Sequence, residues 1–358
     1  MQIYINGRFL EYKLTGVVRY SLSVLEKIDS MLNLPEYSSF NFCLLLPQKI
    51  SCPKNFNNIK IKNVGINHGS LWEQIDLLFF SKNGWLLSLA STGSILKKRQ
   101  LVVLHDAKMA TSWKSDARFI QRYFLYLMGI VLGIRLKKII TISKYAKEEL
   151  KKYFYIREDK ITIGYEGYEH IINIKEDNSI LEKYNLKYKS FVLAVGGGSA
   201  KKNLFTAMAL KKCSNSDVPL VISGNIPVEV LTKLNEYNNI IIIGRVSDNE
   251  LVSLYKNALC LCFPSIAEGF GIPPIEAMAL NCPVIVSNRD SLPEVCGNAA
   301  LYCDPDNIKS LVIQLEKIIN NKALAIELCE KGQKNIKRFS WEKTSKIILN
   351  ELIKIISS

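Results

Sequence analysis

The chain has 358 residues, of which 48% are hydrophobic and 22% are charged. This composition is typical of globular proteins, and the length suffices for about two domains of about 150 residues each. The formal net charge is +14: residues 1–170 contain 25 Lys and Arg against 14 Asp and Glu, and residues 171–358 contain 22 against 19. The basic first half favours an anionic partner such as membrane headgroups, a phosphorylated lipid or nucleic acid, but solvated lysines explain it equally well.

The start of the chain, MQIYINGRFLEYKL, mixes charged and polar residues into its apolar part, unlike a secretory signal. The longest uncharged apolar run, 123–134, is shorter than the about 20 residues of a membrane-spanning helix. We therefore expect a cytoplasmic protein, at most peripheral on the cytoplasmic face of the inner membrane. The nine cysteines form no CxxC pair, which predicts reduced, buried thiols and no zinc site.

Short apolar runs alternate along the chain with longer amphipathic segments. Helical patterns include 17–29 and 247–258, and the second begins with a capping box of Ser247 and Glu250. Apolar strands joined by helices are typical of doubly wound parallel sheets. The predicted strands fall into two series, 2–6, 42–47, 85–89, 101–106 and 138–143, then 191–198, 219–224, 239–244, 259–265 and 282–287.

The two series predict two Rossmann-like α/β domains. The polar stretch 164–180 has no clear periodicity, so we place the first domain at 1–170 and the second at 171–339. Residues 340–358 contain a helical pattern that could pack back on the first domain or on the second.

Ligands of open α/β sheets bind beyond the carboxyl ends of the strands. The first strand of the second series is followed by Gly196, Gly197 and Gly198, and then by Lys201 and Lys202 at the start of a helix. Glycines let backbone amides approach a ligand, and lysines at a helix N-terminus suit a phosphate or diphosphate. The stretch matches neither the P-loop nor GxGxxG, and a flexible turn with solvated lysines explains it as well.

Two glutamates, Glu268 and Glu276, are separated by seven residues that include a Pro-Pro pair. The prolines favour a first helical turn, which predicts that Glu268 lies in a loop and Glu276 in that turn. The helix dipole explains an acidic residue at Glu276 but not at Glu268. The amides of three loop residues between them could hold anionic or hydroxyl groups of a ligand: Gly269, Phe270 and Gly271.

These residues belong to the stretch EGFGIPPIEAMALNCPVIVSNRDSLPEVCGNAALYCDP, 268–305. It contains Glu-x7-Glu, EGFG, PPxEAMA and LPEVxGxAAL in order, and it resembles the donor-site segment of the glycosyltransferase family 4 enzymes. These are retaining group 1 glycosyl transferases of the GT-B fold, here of the mannosyl/rhamnosyltransferase-like type. Further stretches extend the resemblance over nearly the whole chain: LTGVVRY, LWEQ, VVLHDA, TISKYAKEEL, KKNL and LVSLYKNA.

The resemblance implies an α/β GT-B fold, with an acceptor-binding first domain and a donor-binding second domain that face each other across a cleft. It implies that Glu268 contacts the transferred sugar and Glu276 the ribose of a nucleotide-diphosphate sugar. The catalytic residues would be Glu268, His105 and Lys202. The other implied donor contacts are Gly16, Lys201 and Lys202 at the diphosphate, Gly269, Phe270 and Gly271 at sugar and diphosphate, Arg245 near the base and His105 at the sugar.

The resemblance also implies same-face attack, in which the leaving phosphate helps to deprotonate the acceptor, so no protein nucleophile is assigned. We expect no cofactor and no essential metal. Asp304 and Asp306 have the spacing of a metal-binding pair, but an N-cap role fits them better. The sequence departs from the family pattern at three positions: Lys201, where Arg is common, Val18, where a smaller or polar residue is frequent, and Glu166, where Asn is common.

The basic first half and the apolar stretch 117–138 with basic flanks favour an acceptor on an anionic membrane, although burial of that stretch is the simpler interpretation. We expect a lipid-linked saccharide acceptor in O-antigen, capsule or lipopolysaccharide synthesis. Trp72 is either a platform for the acceptor sugar or a core residue. The alternatives are a GT-B nucleotide-sugar epimerase, a soluble sucrose- or glycogen-type transferase and an inactive binding subunit; no nucleic-acid motif is present.

Overall fold

The computed structural model describes residues 1–12, 15–107, 119–196, 200–214, 217–237 and 239–357, except the side chains of 119–122, 200 and 201. The strands are β1 (Gln2–Asn6), β2 (Asn41–Leu46), β3 (Ile59–Asn63), β4 (Trp85–Ser88), β5 (Gln100–Val103), β6 (Ile139–Thr141), β7 (Ile161–Ile163), β8 (Val192–Val195), β9 (Leu220–Ser223), β10 (Ile240–Gly244), β11 (Cys260–Phe263), β12 (Val284–Ser287) and β13 (Leu301–Cys303).

The described α-helices are α1 (Gly16–Met31), α2 (Gly69–Leu71), α3 (Leu77–Phe80), α4 (Phe119–Arg135), α5 (Lys144–Phe154), α6 (Glu169–Ile172), α7 (Ser179–Lys183), α8 (Ala200–Leu210), α9 (Val228–Leu234), α10 (Asp248–Asn257), α11 (Ile272–Ala279), α12 (Leu292–Cys296), α13 (Ile308–Asn320), α14 (Lys322–Asn335) and α15 (Trp341–Ser357). A π-helical turn covers Trp72–Asp76, and short 3₁₀ turns cover Gly7–Glu11, Pro35–Tyr37, Glu158–Lys160 and Ile336–Arg338.

The chain divides into two compact units, each built around one parallel sheet. The first unit contains Met1–Gly167 together with Ser340–Ser358, and the second contains Tyr168–Phe339. The sequence-based boundary between residues 170 and 171 lies three residues beyond this division. The two units are therefore described one at a time.

The first unit has the strand order β3-β2-β1-β4-β5-β6-β7, so the order reverses between β1 and β4. Its last piece, α15, packs against α1: the Tyr20 and Trp341 rings meet edge to face with centroids 5.5 Å apart. The hydroxyl of Ser345 also donates to the carbonyl oxygen of Val24, at 3.2 Å. Residues 340–357 therefore complete the core of the first unit.

The second unit has the strand order β10-β9-β8-β11-β12-β13. The chain runs outward from β8 to β10 and then returns to the other side of β8, so the order reverses between β8 and β11. Its four central strands are mainly apolar and buried except for the last residue of β8, as expected for a sheet covered on both faces by helices. In such sheets the crevice at the reversal point is the usual ligand site.

Candidate functional site

The turn after β8 lies at the reversal point of the second sheet. Gly196 has a φ of +91°, a left-handed conformation that glycine adopts at little cost. Its amide donates to the carbonyl oxygen of Ser223 at the end of β9, at 2.9 Å. The turn is thus anchored to the neighbouring strand; Gly197 and Gly198, predicted to belong to the same site, lie outside the described residues.

Lys202 is the third residue of α8 and is buried, with 6% of its surface exposed. Its Nζ lies 4.0 Å from the centroid of the Phe263 ring, which ends β11. A Cβ atom added to Gly196 would come within 3.3 Å of the same Nζ. The ammonium group is therefore held between the two strands at which the order reverses. The side chain of Lys201 lies outside the described part of the chain.

Glu268 follows β11 in a loop and is half-buried. Its Oε1 accepts a hydrogen bond from the hydroxyl of Ser265 at 2.7 Å, and its backbone amide donates to Oδ2 of Asp290 at 3.0 Å. The hydroxyl of Ser291 lies 2.9 Å from the carbonyl oxygen of Glu268 and 3.0 Å from that of Phe270. The turn after β12 thus fixes the loop that carries Glu268.

Gly271 is the N-cap of α11, with a φ of +101°. A Cβ atom there would meet Cδ2 of Leu292 at 2.8 Å, so both conformation and space require glycine. Pro273 and Pro274 carry no amide hydrogen, so donors toward a ligand come from residues before them. The side chain of Phe270 is not part of this donor set: its ring is buried and packs against Phe339, with centroids 5.4 Å apart.

Glu276 is the fifth residue of α11, and the first turn of that helix holds no acidic residue. The prediction that placed it in the first turn is therefore wrong by one residue. Its carboxylate is buried and contacts two side chains: Nε2 of His170 lies 2.6 Å from Oε1, and the Tyr255 hydroxyl donates to Oε2 at 3.0 Å. Sequence reasoning missed both partners, because His170 lies in the stretch without periodicity and the pattern around Tyr255 is that of a core residue of α10.

Arg245 follows β10 at the edge of the same sheet and is exposed. Gly196, Arg245 and Glu268 thus all follow the carboxyl ends of strands of one sheet, with Arg245 on the outermost of them.

The Asp304 and Asp306 pair was predicted to cap a helix, but the N-cap of α13 is Asn307, whose side chain accepts from the amide of Lys309. The two carboxylates instead bind Nη2 of Arg289, at 3.1 and 2.7 Å. Nowhere in the described ranges do three or more His, Cys, Asp or Glu side chains gather in a way that could hold a metal ion.

In the first unit, Gly16 begins α1 and Tyr20 follows one turn later. The Tyr20 ring meets the ring of His105 edge to face, with centroids 4.6 Å apart, so the predicted Gly16 and His105 positions lie on neighbouring elements. His105 is buried, and its Nε2 lies 2.8 Å from the carbonyl oxygen of Leu89; because a carbonyl only accepts, this nitrogen carries a proton. Nδ1 of His105 is 3.7 Å from Oε1 of Glu166. Burial, with the Glu166 carboxylate, raises the pKa of Tyr20.

Trp72 is completely buried in a core cluster with Leu45, Val64, Leu77 and Leu86. Its Nε1 donates to the carbonyl oxygen of Val64 at 2.8 Å. The structure therefore corrects the expectation of an acceptor platform, because no face of the ring is open to a sugar.

The residue after it, Glu73, is also fully buried, and its carboxylate accepts from Arg8 at 2.7 Å and from Asn6 at 2.6 Å. Asn6 ends β1, beside the reversal point of the first sheet. Glu73 of the LWEQ stretch thus holds the end of β1 and the Arg8 side chain in place at this edge of the sheet.

Two parallel-sheet α/β units of this kind are the architecture of the GT-B fold. The model for glycosyl transferases group 1 matches residues 177–339. The O-antigen chain mannosyltransferase RfbU of Salmonella typhimurium is 32% identical over 248 residues, 67% of each chain. The O-antigen chain mannosyltransferase B of Escherichia coli is 27% identical over 378 aligned positions, which span 98% of this chain and 99% of that one.

Among solved structures, the sucrose-phosphate synthase of Thermosynechococcus elongatus matches 100% of this chain and 99% of its own with a TM-score of 0.78. Its sequence is 14% identical, so this match shows the shared fold alone. The chain belongs to the group 1 glycosyl transferases.

Proposed function

We propose that this chain is a retaining, metal-independent transferase of glycosyltransferase family 4 that moves a hexose or deoxyhexose from a nucleotide-diphosphate sugar to a saccharide acceptor. The acceptor is lipid-linked, and the reaction serves surface polysaccharide synthesis. The observation that carries the proposal is the buried Lys202 ammonium beside Phe263, at the reversal point that also positions Glu268. Mannose is the first sugar to test, because RfbU and the Escherichia coli relative are named as mannosyltransferases.

The chemistry follows from where charge develops. When the bond between sugar and diphosphate breaks, negative charge grows on the leaving phosphates, and a fixed ammonium stabilises this state more than the ground state. Lys202 is suited to that role because burial and the Phe263 ring hold it in place before the donor binds. Glu268, oriented by Ser265, would accept hydroxyl groups of the transferred sugar. Gly16 and His105 of the first unit would contact the diphosphate and the sugar.

A donor screen followed by a transfer assay tests the proposal. GDP-, UDP- and dTDP-sugars are first compared for binding, and the best one is assayed with lipid-linked acceptors. Glu268→Gln should lower the transfer rate at least about 100-fold while the nucleotide still binds, whereas Glu327→Gln, in a surface pair with Lys331, should leave the rate unchanged. Equal rates for both variants would overturn the assignment of Glu268. Because the proposed reaction needs no metal, the transfer rate of the parent protein should be the same with and without EDTA.

The same assay separates the proposal from its alternatives. An epimerase would convert the donor sugar in the absence of any acceptor. A sucrose- or glycogen-type enzyme would use soluble acceptors as well as lipid-linked ones, and a binding subunit would transfer nothing to any acceptor offered.

The acceptor would be reached at a membrane surface through α4. One face of this helix packs on the core through Met128 and Leu132, whereas Tyr123, Leu127 and Ile134 are 46%, 40% and 68% exposed. Spacings of four and seven residues place these three on one side of a helix. Arg135 and two lysines follow, an arrangement suited to anionic headgroups. No helix of the described residues is both long and apolar enough to cross a bilayer.

Sedimentation with vesicles containing phosphatidylglycerol tests this contact. The parent protein should pellet with the vesicles at low salt, and Ile134→Glu should weaken the association. Ile313→Glu is the matched control, because Ile313 is an exposed isoleucine on α13 of the second unit, 51% exposed. A parent protein that stays entirely in solution would contradict the membrane contact and leave the transfer reaction untouched.

A further inference from the structure

Both carboxylate oxygens of Glu276 are engaged by side chains from other helices. Nε2 of His170 on α6 lies 2.6 Å from Oε1, and the hydroxyl of Tyr255 on α10 donates to Oε2 at 3.0 Å. The exposed fractions of the two side chains in the closer pair are 7% for His170 and 4% for Glu276. Three helices thus converge on one buried carboxylate at the donor side of the second unit.

The geometry defines which groups donate. A carboxylate only accepts, so the 2.6 Å contact requires a proton on Nε2 of His170. An ionised carboxylate has about four acceptor positions on its two oxygens. His170 and Tyr255 each occupy one of these positions, and they do so on different oxygens.

We propose that His170 and Tyr255 are positioning residues, which orient the Glu276 carboxylate so that it receives the two vicinal hydroxyls of the donor ribose. This inference rests on the proposed function, in which Glu276 contacts the ribose. A diol needs both oxygens of one carboxylate in a defined plane, and the two partners fix that plane from opposite oxygens. A carboxylate free to rotate would lose this match, because hydrogen bonds weaken steeply with angle.

The position of Glu276 on α11 explains why positioning residues are needed. Glu276 lies on the second turn of α11, beyond the loop that Ser291 and Asp290 hold in place. The supports of Glu268 therefore do not reach it, and burial alone would not select one rotamer of its terminal torsion, which is broad. α6 contacts both α10 and α11, and the side chains of α6 and α10 supply the missing supports.

The test compares ribose and 2′-deoxyribose ligands. Dissociation constants are measured for GDP and UDP, for their 2′-deoxy counterparts and for inorganic pyrophosphate, with the parent protein and with His170→Ala, His170→Gln and Tyr255→Phe. The parent should prefer the better ribonucleotide over its 2′-deoxy form by roughly tenfold, the value of a hydrogen bond to a charged group. His170→Ala should reduce this preference to about twofold while pyrophosphate binding stays unchanged.

Glutamine can still donate from its amide, so His170→Gln should restore part of the ribose preference. Tyr255→Phe keeps the buried ring and removes only the hydroxyl, which preserves the test if the His170 variants fold poorly. A loss of affinity that is equal for ribonucleotide and 2′-deoxynucleotide in every variant would overturn the positioning role. A parent protein that binds GDP or UDP without ribose preference would overturn it too, whereas a parent that binds none of GDP, UDP and dTDP would overturn the proposed function itself.

Discussion

The Nζ of Lys202 and the ring of Phe263 are 4.0 Å apart, so the first turn of α8 contacts the last residue of β11. The strand order of the second sheet reverses between β8 and β11, and α8 is the helix that follows β8. Desolvation strengthens the attraction between a cation and an aromatic face. The contact therefore fixes a positive charge at the place where an α/β sheet binds its ligand.

Lys202→Met should lower the transfer rate at least about 100-fold, because it removes a cation from the leaving diphosphate without opening the core. The control is Lys211→Met, since Lys211 also lies over an aromatic ring, that of Tyr237 at 5.3 Å, but at the far end of α8. Steady-state rates and thermal melting are measured for both. Equal rates in the two variants would show that Lys202 contributes packing alone.

Gly271→Ala should destabilise the second unit by about 1–3 kcal/mol, because a residue with a Cβ atom is strained at positive φ and Leu292 leaves no space for it. Gly244→Ala is the matched control: φ there is +72° and no atom lies within 4 Å of the added Cβ. Urea unfolding should show the larger loss at Gly271, and adding Leu292→Ala should remove the steric part of it. Equal losses at both glycines would rule out the contact with Leu292.

Trp72→Phe should lower stability by about 1–3 kcal/mol, since the carbonyl oxygen of Val64 loses its buried donor. The KM for the acceptor should stay within about twofold, because the ring is completely buried. Denaturant unfolding and acceptor titration check the two parts. A large change in acceptor KM without a loss of stability would restore Trp72 as an acceptor contact.

All nine cysteines are free, and only Cys43, Cys52 and Cys329 are not buried. Burial raises the pKa of Cys262, Cys282 and Cys296 to about 12 each. At most three thiols should react quickly with Ellman's reagent in the native protein, and nine after unfolding. The folded state holds these protons more tightly, so stability should fall as the pH rises above about 9; fast reaction of more thiols would contradict the burial.

All ten predicted strands are present, and the capping box of Ser247 and Glu250 is confirmed. Apolar β-branched runs stand out from amphipathic helices in a sequence, and most of these strands are such runs because the sheets bury them. The sequence reading missed β3, β7 and β13. β3 reads IKIKN and is exposed beyond its first residue, whereas β7 and β13 have three residues each. Such strands owe their existence to their neighbours in the sheet and leave no clear pattern of their own.

The residues of the candidate site also divide into those with a local sequence signature and those without one. Glu268, Gly271 and Lys202 could be singled out as candidates because loops after strands and helix starts have local signatures, and their roles stay predictions. His170 lies 106 residues from Glu276 and Tyr255 lies 21 residues from it. Such contacts arise only when helices pack, and neither residue type is unusual where it stands. The two interpretations of Trp72, acceptor platform or core residue, could not be separated from the sequence, since burial of an aromatic ring depends on what the rest of the unit places around it.

The return of α15 to the first unit has a consequence for the order in which the two units fold during synthesis on the ribosome. Residues 168–339 form the second unit from one uninterrupted stretch, so this unit can fold as soon as it emerges. The first unit, although most of it is made earlier, keeps the Tyr20 side of α1 uncovered until Trp341 and Ser345 arrive. The first unit of this transferase is thus the last to be finished, and the Tyr20 side of α1 stays exposed for the longest time during translation.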